Sequence, residues 1–171
     1  MNNHTIRRPI AAAIGAIATM GTLATPGIAS AVPEQYPMPA SLSIAGDLLV
    51  APGVHLLNID ASGMRDKHGK TAGTYVATVM NGSSKTPIQV KGPITCIYTH
   101  GDTASLVYPI SATSPNLVPN ALRDRYAVKI SVRKGNVDHV GVQGPMPTDS
   151  FRNCLPGSTP FVFQGKITIG Q

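Results

Sequence analysis

From Ser41 to the C-terminus, apolar residues recur every second position, in short runs separated by turn signals. The clearest run is Tyr126, Val128, Ile130 and Val132, which alternate with Lys129, Ser131 and Arg133. Successive side chains of a strand point to opposite faces, so this run predicts a strand with one apolar and one charged face. Ala104, Leu106, Tyr108 and Ile110 alternate with Thr103, Ser105 and Val107. Together with Ile88–Thr99 across the Gly101-Asp102 turn, they predict a hairpin. In Ile88–Thr99 the alternation sets Ile94, Cys96 and Tyr98 on one face and Thr95, Ile97 and Thr99 on the other.

Earlier in the chain, Leu42, Ile44, Leu48 and Val50 predict a short strand pair interrupted at Gly46-Asp47, followed by a Pro52-Gly53 turn and a strand over Val54–Ala61. Residues Ser62–Gly73 carry Asp66, Lys67, His68 and Lys70 without apolar period and predict a surface loop. Thr74–Met80 is rich in β-favouring residues and ends at Asn81-Gly82. After the Arg133 strand, Lys134-Gly135-Asn136 turns the chain into a strand over Val137–Val142. Proline-rich stretches predict loops over Ser111–Asn120 and Gly144–Ser158, with a short helical turn at most over Leu122–Arg125. Phe161, Phe163, Ile167 and Ile169 form a last strand, with Gly165 marking a bulge. No twelve-residue window after residue 31 has a helical period. Strands at this spacing predict an all-β, single-domain antiparallel sandwich or barrel of about eight strands.

The first 31 residues differ in texture. Arg7 and Arg8 precede an uncharged, alanine-rich stretch from Ile10 to Thr25, and Ala29-Ser30-Ala31 is a small-x-small site before Val32. This is the pattern of a secretory signal peptide cleaved between Ala31 and Val32. The apolar stretch is shorter than a membrane span and is broken by Pro26-Gly27; no second such segment follows. Residues 32–40 hold Pro33, Pro37 and Pro39 and predict an extended arm, leaving 41–171 as the β-domain. An exported chain reaches an oxidising compartment, where two distant cysteines, Cys96 and Cys154, are expected to form one disulfide. They lack the Cys-x-x-Cys spacing of zinc or redox sites.

The formal net charge of +6 includes Arg7 and Arg8 and is otherwise scattered in singles and pairs. Without charge runs or interleaved aromatic residues, nucleic-acid binding is not indicated. Candidate chemistry is sparse. His55, His68, His100 and His139 make no ligand pairs by spacing, no Gly-x-Ser-x-Gly elbow is present, and the one glutamate after residue 31, Glu34, lies in the arm. Asp47 and Asp102 read as turn residues. His100 or His139 with an aspartate is the only route to a hydrolase. Tyr98, Tyr108, Phe161 and Phe163 are the aromatics available to line a pocket for a small apolar ligand. No cofactor or metal site is expected. The leading expectation is an exported, non-catalytic β-domain of the cell envelope or medium that binds a partner or serves as a structural component.

One segment carries a resemblance. Gly92-Pro93-Ile94-Thr95-Cys96-Ile97, followed by Gly101-Asp102-Thr103-Ala104, a second cysteine near the C-terminus and the closing run Phe163-Gln164-Gly165-Lys166-Ile167-Thr168-Ile169, resembles small secreted actinobacterial proteins of unknown function. The resemblance spans Thr74 to Gln171 and implies a shared structure, not a catalytic site. Arg133-Lys134-Gly135 departs from it, standing where such proteins have an acidic turn.

Overall fold

In the computed structural model, residues 38–151 and 154–171 are described. The expected signal peptide, the expected Ala31/Val32 cleavage site and arm residues 32–37 lie outside them. The described residues are all-β and antiparallel: β1 (Ala40–Ala51), β2 (Val54–Arg65), β3 (Thr71–Asn81), β4 (Ser84–Pro93), β5 (Cys96–His100), β6 (Thr103–Pro109), β7 (Ala112–Ser114), β8 (Tyr126–Arg133), β9 (Asp138–Pro147) and β10 (Phe161–Gly170). They form a single open sheet in the order β5-β6-β8-β9-β10-β1-β2-β3-β4-β7.

That sheet folds over on itself. Strands β5 and β6 pack across β1, β2 and β3, so two leaves enclose one aliphatic core. One leaf gives Leu42, Ile44, Leu48, Ile59 and Ala61; the other gives Ile97, Leu106, Ile130, Val132 and Val140. The alternation of Val128, Ile130 and Val132 is borne out, since all three are buried in this core. Alternation places apolar residues on one side only, so both leaves must turn that side towards each other to remove it from water.

The expected strand over Ile88–Thr99 is broken in two. Chain direction changes at Pro93-Ile94-Thr95, where the Ile94 and Thr95 amides donate to the Gly73 and Val107 carbonyls at 3.0 and 2.9 Å. The break lets both Ile94 and Ile97 enter the core, while Cys96 and Tyr98 face outwards. Gly92 sits at the seam where β4 meets the end of β6. A Cβ there would overlap the Pro109 carbonyl oxygen and touch the Tyr108 ring at 3.4 Å. No other residue allows the backbones to approach so closely.

Four further expectations change. Gly46-Asp47 does not interrupt a strand pair: both lie within the continuous β1, paired on both sides. The Ser62–Gly73 loop shrinks to residues 66–70, because Ser62, Gly63, Thr71 and Ala72 extend the β2–β3 ladder. In the remaining turn the Asp66 carboxylate accepts the amides of Lys70 (2.9 Å) and His68 (2.8 Å), and these bonds, Lys70's first, hold its pKa below the usual value. Gly165 is not a bulge but a regular partner of Gly46; the register shifts fall instead at Leu48/Leu49, Leu49/Ala51, Thr78/Met80 and Ala127/Lys129. The helical turn becomes a 3-10 turn at Asn120–Leu122.

The Tyr75 and Tyr108 rings stack in the core at 3.6 Å between centroids and 15° between planes. Burial pushes both phenols up, Tyr75 well above its ordinary value, so both stay neutral. The Tyr75 hydroxyl is buried without a hydrogen-bond partner among the described residues. A buried, unsatisfied hydroxyl costs about 1–3 kcal/mol. Tyr75→Phe therefore raises the free energy of unfolding by about 1 kcal/mol in urea denaturation; a loss of stability would mean that the hydroxyl is satisfied.

Candidate functional site

The two leaves differ on their outer faces. Over β6 and β8 that face is roofed by the segment after β9. Phe151 and Cys154 pack with Val107 and Ala127 into a second, small core, flanked by Cys96, Tyr98 and Met146. The expected Cys96–Cys154 disulfide is present, with 6.0 Å between Cα atoms. Outward Ser105 and Ser131 are buried beneath the segment and bond its backbone: the Ser105 hydroxyl donates to the Cys154 carbonyl, and the Gly157 amide donates to Ser131 Oγ at 2.8 Å. Lys129 Nζ donates to the Leu155 carbonyl at 2.9 Å and lies 5.8 Å from the centre of the Phe151 ring. Gly141 supplies the clearance, since a Cβ there would overlap the Ser158 carbonyl oxygen.

The outer face of β10-β1-β2-β3-β4 is largely small and polar, with Met64 at one end and Leu49 and Val162 at the other. Partners across an antiparallel pair project to the same side. Register therefore aligns Gln164, Asp47, Asn58, Thr78, Gln89 and Ser114 in one polar row from β10 to β7. Asp47 is its centre. Its Oδ2 lies 2.8 Å from His55 Nδ1, and its Oδ1 accepts from Asn58 Nδ2 at 2.6 Å; the same amide nitrogen also reaches the Gly46 carbonyl at 3.3 Å. With Nδ1 directed at the carboxylate, His55 presents Nε2 as its remaining nitrogen. Further along the row, Gln89 Nε2 donates to Thr78 Oγ1 at 3.3 Å. The shift that sets His55 opposite Leu49 leaves Leu56 as an extra residue between them in register, and this brings the imidazole back towards Asp47.

The histidines singled out from the sequence behave differently. His100 is exposed at the β5–β6 turn, where Asp102 accepts from Thr103 Oγ1 at 3.0 Å rather than from the imidazole. His139 is on β9 opposite Arg133, and its neighbour Asp138 accepts the Gly135 amide at 3.1 Å. The His–Asp pair that does form, His55–Asp47, joins residues that the sequence sets on different strands. Reading Asp47 as a turn residue hid it, because alternation across a hairpin becomes informative only once the register is known.

The four aromatics proposed as pocket walls contribute to packing instead. Tyr108 and Phe163 are buried in the main core, Phe161 packs against it, and Tyr98 packs on the small core at the disulfide. Among the described residues no group of three or more His, Cys, Asp or Glu is arranged to hold a metal ion, and no helix is long and apolar enough to cross a membrane. No protein-family model matches the chain, and neither a curated protein nor a solved structure matches it.

Proposed function

We propose that this chain is an exported, non-catalytic β-domain of the cell envelope or medium that works by binding. The observation that carries this reading is the Cys96–Cys154 bridge in its own small core. A fold that depends on a disulfide suits an oxidising compartment, and the N-terminal 31 residues have the pattern that would deliver it there. The bridge also commits one leaf's outer face to holding the covering segment. The other outer face, with its polar row through Asp47, is left to meet a partner. Resemblance to small secreted actinobacterial proteins points the same way.

The hydrolase alternative draws support from one observation, the Asn58–Asp47–His55 relay, which has the orienting carboxylate of a nucleophile-activating pair. Among the described residues, however, the His55 ring bonds only Asp47 and makes no hydrogen bond to a serine, threonine or cysteine. Binding is therefore the better-supported role. Mass spectrometry of culture medium tests the proposal: the protein is expected there with an N-terminus at Val32. Recovery of the uncleaved chain from the cytosol would refute it.

A further inference from the structure

Beside the His55–Asp47 pair lies a hollow of about 390 Å³ walled by Leu49, Val50, Ala51, Pro52, Pro160 and Val162. Every wall residue is apolar, and Val50 and Val162 remain 45% and 40% exposed, which is unfavourable for aliphatic side chains unless something covers them. A second hollow of about 400 Å³ has the opposite chemistry: Thr103, Arg133, Gly157, Ser158 and Thr159 line it, and Pro160 is common to both. Register joins the two across the sheet. Arg133 on β8 faces His139 on β9, His139 faces Val162 on β10, Val162 faces Leu49 on β1, and Leu49 faces His55 on β2. Arg133 and His139 are thus followed by apolar Val162 and Leu49 along a single outward row. From Arg133 to Leu49 the row crosses three interstrand steps, about 14 Å.

Charge decides what fits. Arg133 is exposed, and its guanidinium, a fork that matches a carboxylate, makes no ion pair or hydrogen bond among the described residues. Neither neighbouring carboxylate pairs with it: Asp102 accepts from Thr103 Oγ1 and Asp138 from the Gly135 amide. At the far end, the His55 ring held by Asp47 closes the apolar stretch with a polar stop.

We infer that this row is the binding site for a single-chain anionic amphiphile. Its carboxylate pairs with Arg133 beside His139, and its chain covers Val162, Pro160, Leu49 and Val50. The inference rests on the binding role proposed above and names the ligand class for it. The site lies on the surface, not in the packed interior.

Dodecanoate is the probe, titrated below its micelle concentration into the disulfide-bonded protein and followed by NMR. Saturable shifts are expected at Leu49, Val50, Val162 and Arg133. Arg133→Glu weakens dodecanoate binding by about tenfold or more, because a charge-assisted bond becomes a repulsion, and leaves dodecanol binding unchanged. Val162→Asp abolishes both. Both substitutions are at exposed positions, and the same spectra report whether the fold is kept. Absence of saturable shifts, shifts mapping elsewhere, equal affinity of Arg133→Glu, or binding to anionic vesicles without binding to monomeric dodecanoate would each overturn the inference. Native mass spectrometry of the protein from its host separates this from the broader proposal. A different retained ligand sinks the amphiphile and leaves the binding role standing.

Discussion

Replacing both Cys96 and Cys154 with alanine lowers the free energy of unfolding by about 4 kcal/mol, the loop-closure entropy expected for a bridge of this span. The two cysteines are 58 residues apart in sequence, so the bridge removes many conformations from the unfolded chain. The loss has a local signature as well. Cys154 is buried among Val107, Ala127 and Phe151, and the covering segment is otherwise held to the sheet by the bonds from Ser105, Ser131 and Lys129. Those bonds are individually modest, about 0.5–1.5 kcal/mol each. Without the bridge, amide protection is expected to fall first at Gly157, while the core around Leu42 and Ile130 keeps its protection until global unfolding. Urea denaturation monitored by circular dichroism gives the size, and hydrogen exchange gives the place. An unchanged midpoint would show that the bridge adds nothing to the fold.

The second large effect belongs to the seam. Gly92→Ala places a methyl group on the Pro109 carbonyl oxygen, which is backbone and has no rotamer to yield. Either β4 withdraws from the end of β6 or the Tyr75–Tyr108 stack behind it opens. The expected cost is about 3 kcal/mol or more, at the upper end for a single substitution. Gly82→Asn is the control. Gly82 has a positive φ, 60°, which Gly92 lacks, but a Cβ there meets nothing within 4 Å, so the cost is limited to about 1 kcal/mol of backbone preference. Thermal unfolding of the two variants side by side measures the difference. Equal losses would mean that β4 and β6 are not closely packed at Gly92.

These two sites illustrate what alternation does and does not carry. The period-two pattern of Val128–Val132 and of Ala104–Tyr108 located strands and the faces they bury, because burial of one face is a local property of the sequence. Cys96 and Cys154 were recognisable as partners from number and compartment alone. Ile94 and Ile97 were assigned opposite faces, yet both are buried. The reason is the reversal at Pro93, where a strand passes from one leaf to the other and its inside and outside exchange. Polar composition misled at Ser62, which looks like a loop residue but projects outward from the β2–β3 ladder. A sheet with one bare face admits such residues into its strands freely. The Asp47–His55 contact depends on the shifted register of the β1–β2 hairpin, and the row from Arg133 to His55 depends as well on strands distant in sequence, including β10 set between β1 and β9. Nothing within a single segment encodes that order.

We propose that the β-domain leaves the cell and that its one sulfur bridge closes there. Protein taken from the medium, denatured and treated with an alkylating agent, tests this by intact mass. The mass of residues 32–171 with no alkyl group before reduction, and one on each of Cys96 and Cys154 after it, is the predicted result. Alkylation of either cysteine without reductant, in a chain that still begins at Met1, would contradict it.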